Sequence, residues 1–356
     1  MHEASLSTGH PIKIKILTIL FYDMKNKRSD LSTKVTYLLL RPEITLVFAA
    51  STIFAYFATS APLFASPSNL QNIGRWIGTY GFMALGEMFV LISGGIDLSI
   101  GSVVAFSGLV LAHFMEVMGI NWVLSILLTL LICAGVGAFH GAFVSRFSPP
   151  LPQIVPAFLI TLVTQFALRG AAQFWTKGYP IVLTKGKFQD FIFIGNGNIL
   201  EVPVPLILAL IVLAVAFFIL NLSVLGRHIY AIGGNLETAI VTGVRVNRVR
   251  LLSYIISSTL AAVTGVIITA RLSSAYPGVG SGYELQAIAS CVLGGVSLIG
   301  GEGLPFGVLL GVLLTTIIEN GLVVLNISPY LHLIIIGILL SIAVTADFLK
   351  RYRFRR

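Results

Sequence analysis

Charge is what this sequence has least of. Only 10% of its 356 residues are Asp, Glu, Lys or Arg, against about 25% in a soluble domain. Hydrophobic residues make up 56%, and the mean hydropathy is +0.94. That shortage excludes a soluble globular chain and implies a polytopic membrane domain over nearly the whole length. Cysteine is scarce too. Cys133 and Cys291 both sit in apolar runs and read as small buried hydrophobes; they make no disulfide framework and no metal-ligand spacing. The histidines are scattered, and none pairs with another His or a Cys at i+3 or i+4. His113, His140 and His332 fall within or at the ends of apolar runs and read as packed or interfacial side chains, and no metal is expected. No G-x-x-x-x-G-K-[ST] phosphate loop occurs, so an ATPase of that class is excluded. No cleavable leader is expected either. Ile14 to Tyr22 is apolar but short, Lys13 and Lys15 interrupt it, and no small-residue cleavage site follows. It reads as a cytoplasmic segment, an amphipathic helix on the inner leaflet.

What is present begins with long apolar runs. A membrane span needs about 17–25 apolar residues. Ten segments meet that or come close: 44–64, 74–93, 99–118, 122–144, 154–175, 204–221, 251–271, 284–300, 305–325 and 331–348. The run 284–300 is short and carries Glu284, which leaves room for a re-entrant segment. The net charge of +9 is unevenly placed. Seven Lys/Arg precede the first apolar run and five close the chain. With the N-terminus inside and strict alternation, the inside segments hold seventeen Lys/Arg. The outside loops hold three: Lys177, Lys185 and Lys187. The positive-inside rule then predicts an all-α protein of about ten transmembrane helices, some broken or re-entrant at Gly-rich segments, with both termini cytoplasmic. The expected organisation is a basic segment 1–43, a membrane domain 44–348 and a basic tail 349–356. The charge lies in anchors rather than on one folded face, so nucleic acid is not an expected partner.

Within the hydrocarbon-like background, Gly94-Gly95-Ile96-Asp97-Leu98-Ser99-Ile100-Gly101 is the most polar interruption. An aspartate at membrane depth is costly and by default faces a protein interior or a water-filled path. Glycines at this density let the backbone turn or approach another closely, as broken transporter helices do. Gly94, Gly95, Asp97 and Ser99, with Glu87 one span earlier, are therefore candidate substrate-path residues. Two roles stay open for Asp97. It lines the path or holds the break that shapes it, or it caps the next helix as an ordinary N-cap carboxylate. A second run, Gly294 to Gly303, echoes the first, and its glycines serve either close helix approach or a ligand.

Two connections are long, 176–203 on the outside and 222–250 on the inside. In the latter, Asn235 is a good N-cap and Glu237 falls in the first turn, where negative charge suits the helix dipole. Leu236, Ala239, Ile240 and Gly243 follow at i, i+3, i+4 and i+7. This predicts a short helix with one apolar face, which either folds back on the membrane surface or docks a soluble partner.

Four stretches resemble one family. They are 94–102; Tyr230 to Asn235 with Thr238-Ala239 and Gly243-Val244; Ala270 to Ala275 with Pro277, Gly280, Gly282 to Leu285 and Ala287 to Ala289; and Leu293 to Gly295 with Ser297-Leu298 and Gly300-Gly301. In this order they resemble the permease subunits of ribose-type monosaccharide ABC importers, over roughly residues 70–348. The resemblance implies a non-enzymatic transport subunit in the bacterial inner membrane, paired with a second permease chain as homo- or heterodimer. It implies an ABC ATPase subunit and an extracytoplasmic sugar-binding protein as partners, with membrane lipid around the chain. The chain would hold no cofactor, and ATP would be used by the partner. The family would place the ATPase contact on the inside loop, at Gly234, Asn235, Leu236, Glu237, Ala239, Ile240 and Gly243. The implied cargo is a monosaccharide, ribose or a related pentose foremost. The sequence departs from the family pattern at Glu87 and Met88, at Glu302, and in its N-terminal segment of about 43 residues. The alternative from another class is an ion-coupled secondary transporter of a small polar solute, with Asp97, Glu87, Arg169 and Glu319 as its relay.

Overall fold

The computed structural model describes residues 42–148, 153–184, 186–328 and, beyond these, 331, 334–335, 337–342 and 344–345. The expected helix at 14–22 and the tail 349–356 lie outside the described residues, as does the basic segment up to residue 41. The chain divides into two compact units, 1–45 and 46–356. Of the first, only residues 42–45, in the opening turns of α1 (Pro42–Ser60), are described.

The second unit is helical. After α1 come α2 (Pro67–Ile92), α3 (Ile100–Ala112) with a π-helical turn His113–Val117, α4 (Trp122–Phe147) and α5 (Ile154–Thr176). Then follow α6 (Gln189–Asn196), α7 (Val204–Leu222), α8 (Val224–Gly234), α9 (Leu236–Val241), α10 (Val246–Leu272), α11 (Tyr283–Leu293) and α12 (Pro305–Val324). Among the described residues, sheet is confined to two-residue strands. β1 (Ile181–Val182) pairs antiparallel with β4 (Ser274–Ala275), and β2 (Asn198–Ile199) with β3 (Val202–Pro203). Among the described residues, six helical stretches are long and apolar enough to cross a membrane: 100–117, α4, α5, α7, α10 and α12. α2 has the length, 26 residues, but Ser68, Asn69, Gln71, Asn72 and Arg75 make its first half polar.

Local chemistry sets the helix ends. Ser66 caps α2, its hydroxyl accepting from the Asn69 N–H at 3.4 Å, with Pro67 in the first turn. Asn121 caps α4 through the Val123 N–H at 2.9 Å. α10 is the central support. Gly137 and Gly141 on α4 lie so close to it that a Cβ would come within 2.8 Å of Ile255 Cα and 2.5 Å of Leu251 Cα. Small residues four apart give such backbone approach between membrane helices.

One helix is short where the sequence pattern runs on. α11 covers 11 residues, about 17 Å at 1.5 Å per residue, roughly half of a 30 Å hydrocarbon core. It ends at Gly294-Gly295, where Gly295 takes φ +86°. α3 begins beside the middle of α10, where Ser257 reaches Asp97 at 2.8 Å, and further along it the Ser107 hydroxyl donates to the Ala262 carbonyl at 3.4 Å, ten residues before the end of α10. The first turn of α3 meets the chain just before α11, where a Cβ on Gly280 would stand 3.3 Å from Gly101 Cα. Two helix N-termini, those of α3 and α11, thus converge inside the bundle.

Candidate functional site

The break between α2 and α3 is held by its own polar groups. Asp97 is fully buried. One carboxylate oxygen accepts the Ser99 N–H at 3.0 Å and the Ser99 hydroxyl at 2.6 Å. The other accepts the Ser257 hydroxyl of α10 at 2.8 Å. Ser99 is the N-cap residue of α3, and its side chain makes no capping bond of its own. Asp97 therefore braces the cap and ties it to α10. Ser257 lies eleven residues into α10, about 17 Å from its start, so the carboxylate sits midway along the bundle. The segment 94–98 counts among the inside segments of the charge tally, but it holds no Lys or Arg, and its climb into the bundle leaves the tally unchanged.

Glu87 stands beside it. Its Oε1 accepts the Asp97 N–H at 3.3 Å, and its Oε2, also buried, has no hydrogen-bond partner among the described residues. Neither carboxylate takes a hydrogen bond or ion pair from a described Lys or Arg. The described residues hold no group of three His, Cys, Asp or Glu that could bind a metal. Tyr254 of α10, buried, donates to the Ile96 carbonyl at 3.3 Å. Its hydroxyl would lie 2.6 Å from a Cβ on Gly95, which is why glycine stands there. Below this, Arg250 is fully buried and has no carboxylate partner among the described residues. It donates to the Ser148 carbonyl at 2.7 Å, the Ser148 hydroxyl at 3.0 Å and the Gln153 side chain at 2.9 Å. Gln153 in turn donates to Ser93 at 3.3 Å. Glu87, Asp97 and Ser99 are thus brought together, buried, in one hydrogen-bonded set that includes Ser257, with Gly95 packed beside it under Tyr254. Tyr254 and a second set, Arg250, Ser148, Gln153 and Ser93, lie next to it, and no sequence motif marked these residues or Ser257.

The glycine runs meet at a second point. The Gly301 N–H donates to the Ile92 carbonyl at the end of α2 at 2.8 Å. A Cβ on Gly300 would be 2.9 Å from Gly94 Cα and 3.0 Å from Gly233 Cα. A Cβ on Gly233 would overlap the Ile92 carbonyl oxygen and stand 2.5 Å from the Gly301 nitrogen. Tyr230 of α8 donates to the Gly303 carbonyl at 2.7 Å; burial pushes its hydroxyl above the ordinary tyrosine range, so it stays a donor. Three motifs far apart in sequence therefore form one backbone joint.

α9 follows directly from that joint. Asn235 caps it, accepting the Thr238 N–H at 2.8 Å, and Gly243 ends it at φ +83°. Its apolar residues divide. Ala239 is buried against the chain itself at 2% exposure, and Leu236 is half-buried, whereas Ile240 is 48% and Val241 86% exposed. Gly234, Asn235, Glu237 and Gly243 are exposed too. A concavity of ≈ 430 Å³ beside α9 is lined by Ile240, Val244, Arg245, Arg248 and Ser148.

The family model described as branched-chain amino acid transport system / permease component matches residues 69–344. The ribose import permease protein RbsC of Haemophilus influenzae is 37% identical over 325 residues, 91% of this chain and 97% of that protein. RbsC of Escherichia coli K12 is 36% identical over 306 residues, 86% and 93% of the two chains. RbsC of Bacillus subtilis is 38% identical over 286 residues, 80% and 86%. No solved structure matches the chain. A match of this length and identity, on a bundle whose glycine motifs meet in one joint, places the chain in that permease family, among its ribose-type ABC sugar permeases.

Proposed function

We propose that the chain is the membrane-spanning subunit of an ATP-driven importer and forms the translocation path for a monosaccharide, ribose or a related pentose. The observation that carries this is the 36–38% identity to ribose import permeases over most of both chains. The relatives give no support to the ion-coupled alternative. The chain holds no cofactor. It works in the bacterial inner membrane as one of two permease chains, with a sugar-binding protein outside and an ATPase inside. The full reading has ten spans and cytoplasmic termini, resting on the seventeen-to-three division of Lys/Arg.

Energy enters at α9. Its outer surface, Glu237, Ile240 and Val241, meets the ATPase, and the basic concavity beside it suits an acidic or carbonyl-rich element of that partner. Displacement of α8 and α9 passes through the Gly233–Gly301 joint to Ile92 and so to the end of α2. From there it reaches the Asp97 break, where α3 starts. Asp97 acts by holding that break in shape: three hydrogen bonds occupy its carboxylate. A neutral sugar needs no deep charge, and affinity resides in the binding protein. Transport in proteoliposomes holding the permease, ATPase and binding protein, offered a panel of pentoses and hexoses, tests the reading. Accumulation of ribose or another pentose is expected. Accumulation of branched-chain amino acids in place of any sugar would overturn it.

A further inference from the structure

A polar and aromatic cluster lies apart from the Asp97 network, where α2, α10, α11 and α12 come together. Trp76 and Tyr80 of α2 stack with ring centroids 5.0 Å apart, and Tyr283 at the start of α11 meets Tyr80 edge-on at 5.3 Å. The Arg271 guanidinium sits 4.1 Å over the Trp76 ring and donates to Asn72 at 3.0 Å, which fixes both. The Glu319 carboxylate of α12 has the Tyr80 hydroxyl and the Gln286 amide as its polar neighbours. Gln286 is 2% exposed, and its Nε2 completes no hydrogen bond among the described residues.

Two features show that this cluster is more than helix glue. Glu319 lies five residues from the end of α12, about 8 Å in, on a helix apolar enough to span. Yet it is partly exposed, as are Trp76 and Tyr283. A carboxylate exposed at that depth faces a water-filled path or another chain, not lipid. The cluster is also in line with the break: Tyr80 and Glu87 are two helical turns apart on one face of α2, about 10 Å.

We infer that Glu319, Gln286, Tyr80 and Tyr283, backed by the Trp76–Arg271 pair, form a low-affinity subsite for a neutral polyhydroxylated ring on the way to the Asp97 break. A carboxylate and a tyrosine hydroxyl accept from sugar hydroxyls, and the unpartnered amide donates to them. Tyr283 offers a ring edge or face to the sugar's C–H groups. No net charge on the ligand is called for, because Arg271 stands opposite Glu319 across the same ring stack.

The inference rests on the reading of the chain as a monosaccharide permease. Its test uses the whole importer in proteoliposomes with D-ribose and the same sugar panel. Glu319→Gln and Gln286→Leu are each expected to cut maximal ribose uptake about tenfold, equivalent to about 1.4 kcal/mol, and to change the ranking of sugars. Tyr283→Phe, which removes a single oxygen, changes the ranking with a smaller loss. ATP hydrolysis stimulated by the binding protein stays within about twofold, and the complex remains assembled. Unchanged uptake and ranking in all three variants would overturn the subsite. So would loss of uptake together with dissociation of the two permease chains, which would make the cluster a contact between chains. If the unaltered importer accumulates no sugar at all, the parent reading fails as well, which is a different result from indifferent variants in a working importer.

Discussion

Gly233 gives the sharpest prediction, because a single methyl group tests the joint. In Gly233→Ala the new Cβ overlaps the Ile92 carbonyl oxygen and lies 2.5 Å from the Gly301 nitrogen, where ordinary non-bonded contact needs about 3.5 Å. α8 must withdraw by roughly 1–2 Å. Overpacking of this kind costs about 1–3 kcal/mol. The same shift strains the 2.8 Å Gly301–Ile92 hydrogen bond, worth about 1 kcal/mol. The sum is about 2–4 kcal/mol, or a fall in Tm of roughly 3–5 °C for a chain of this length. Gly234→Ala is the internal control: nothing lies within 4 Å of its Cβ, and its φ is not positive, so the change stays within about 0.5 kcal/mol. Cys133 and Cys291 are free and buried, so a thiol-reactive fluorophore reads the melting of the purified permease. Ribose uptake should fall with Gly233→Ala and persist with Gly234→Ala. Equal melting and equal uptake for the two variants would refute the joint.

Asp97→Ala leaves three buried donors without their acceptor at about 1–3 kcal/mol each, so it should melt at least about 4 °C early. Asp97→Asn keeps an acceptor for Ser99 and should retain most uptake; its loss in a well-assembled protein would mean that the charge itself acts. Arg250→Lys cannot reproduce a fork that reaches Ser148 and Gln153 together, and the same thiol assay should show a loss of about 1–3 kcal/mol. On α9, Ile240→Glu with Val241→Glu should reduce ATPase co-purification at unchanged Tm. Ala239→Arg should lower Tm directly, because Ala239 is buried against its own chain. For topology, a cysteine at Tyr179 should label from outside in intact cells, and one at Arg245 should not; the reverse would sink the ten-span arrangement.

Much of this was legible in the sequence because the signals are local. The Asn235 cap, the helix it starts and the break at Gly94–Ser99 all follow from neighbours a few residues apart. Features set by distant residues were not. Asp97 meets Ser257 across 160 residues, and nothing in the α10 sequence separates Ser257 from Ser253 or Ser258. Periodicity placed Leu236, Ala239 and Ile240 on one face, but a face does not say which residues its own chain covers. Hydropathy merged 284–300 into one run, whereas Gly294-Gly295 ends the helix at Leu293. Hydropathy also started the second span at 74, past the Ser66-Pro67 start signal, because the first turns of α2 are polar. The connection 176–203 reads as a loop, yet α6 and two strand pairs order it. Trp76, Tyr80, Tyr283 and Glu319 stand on three helices, and only the fold collects them.

The central claim is that an external ATPase drives sugar through this chain. Ribose accumulation in proteoliposomes, measured with ATP and its ATPase inside and no ion gradient, tests it most directly. Accumulation that requires ATP, the ATPase and the binding protein is expected. Accumulation driven by a proton or sodium gradient without the ATPase would contradict it.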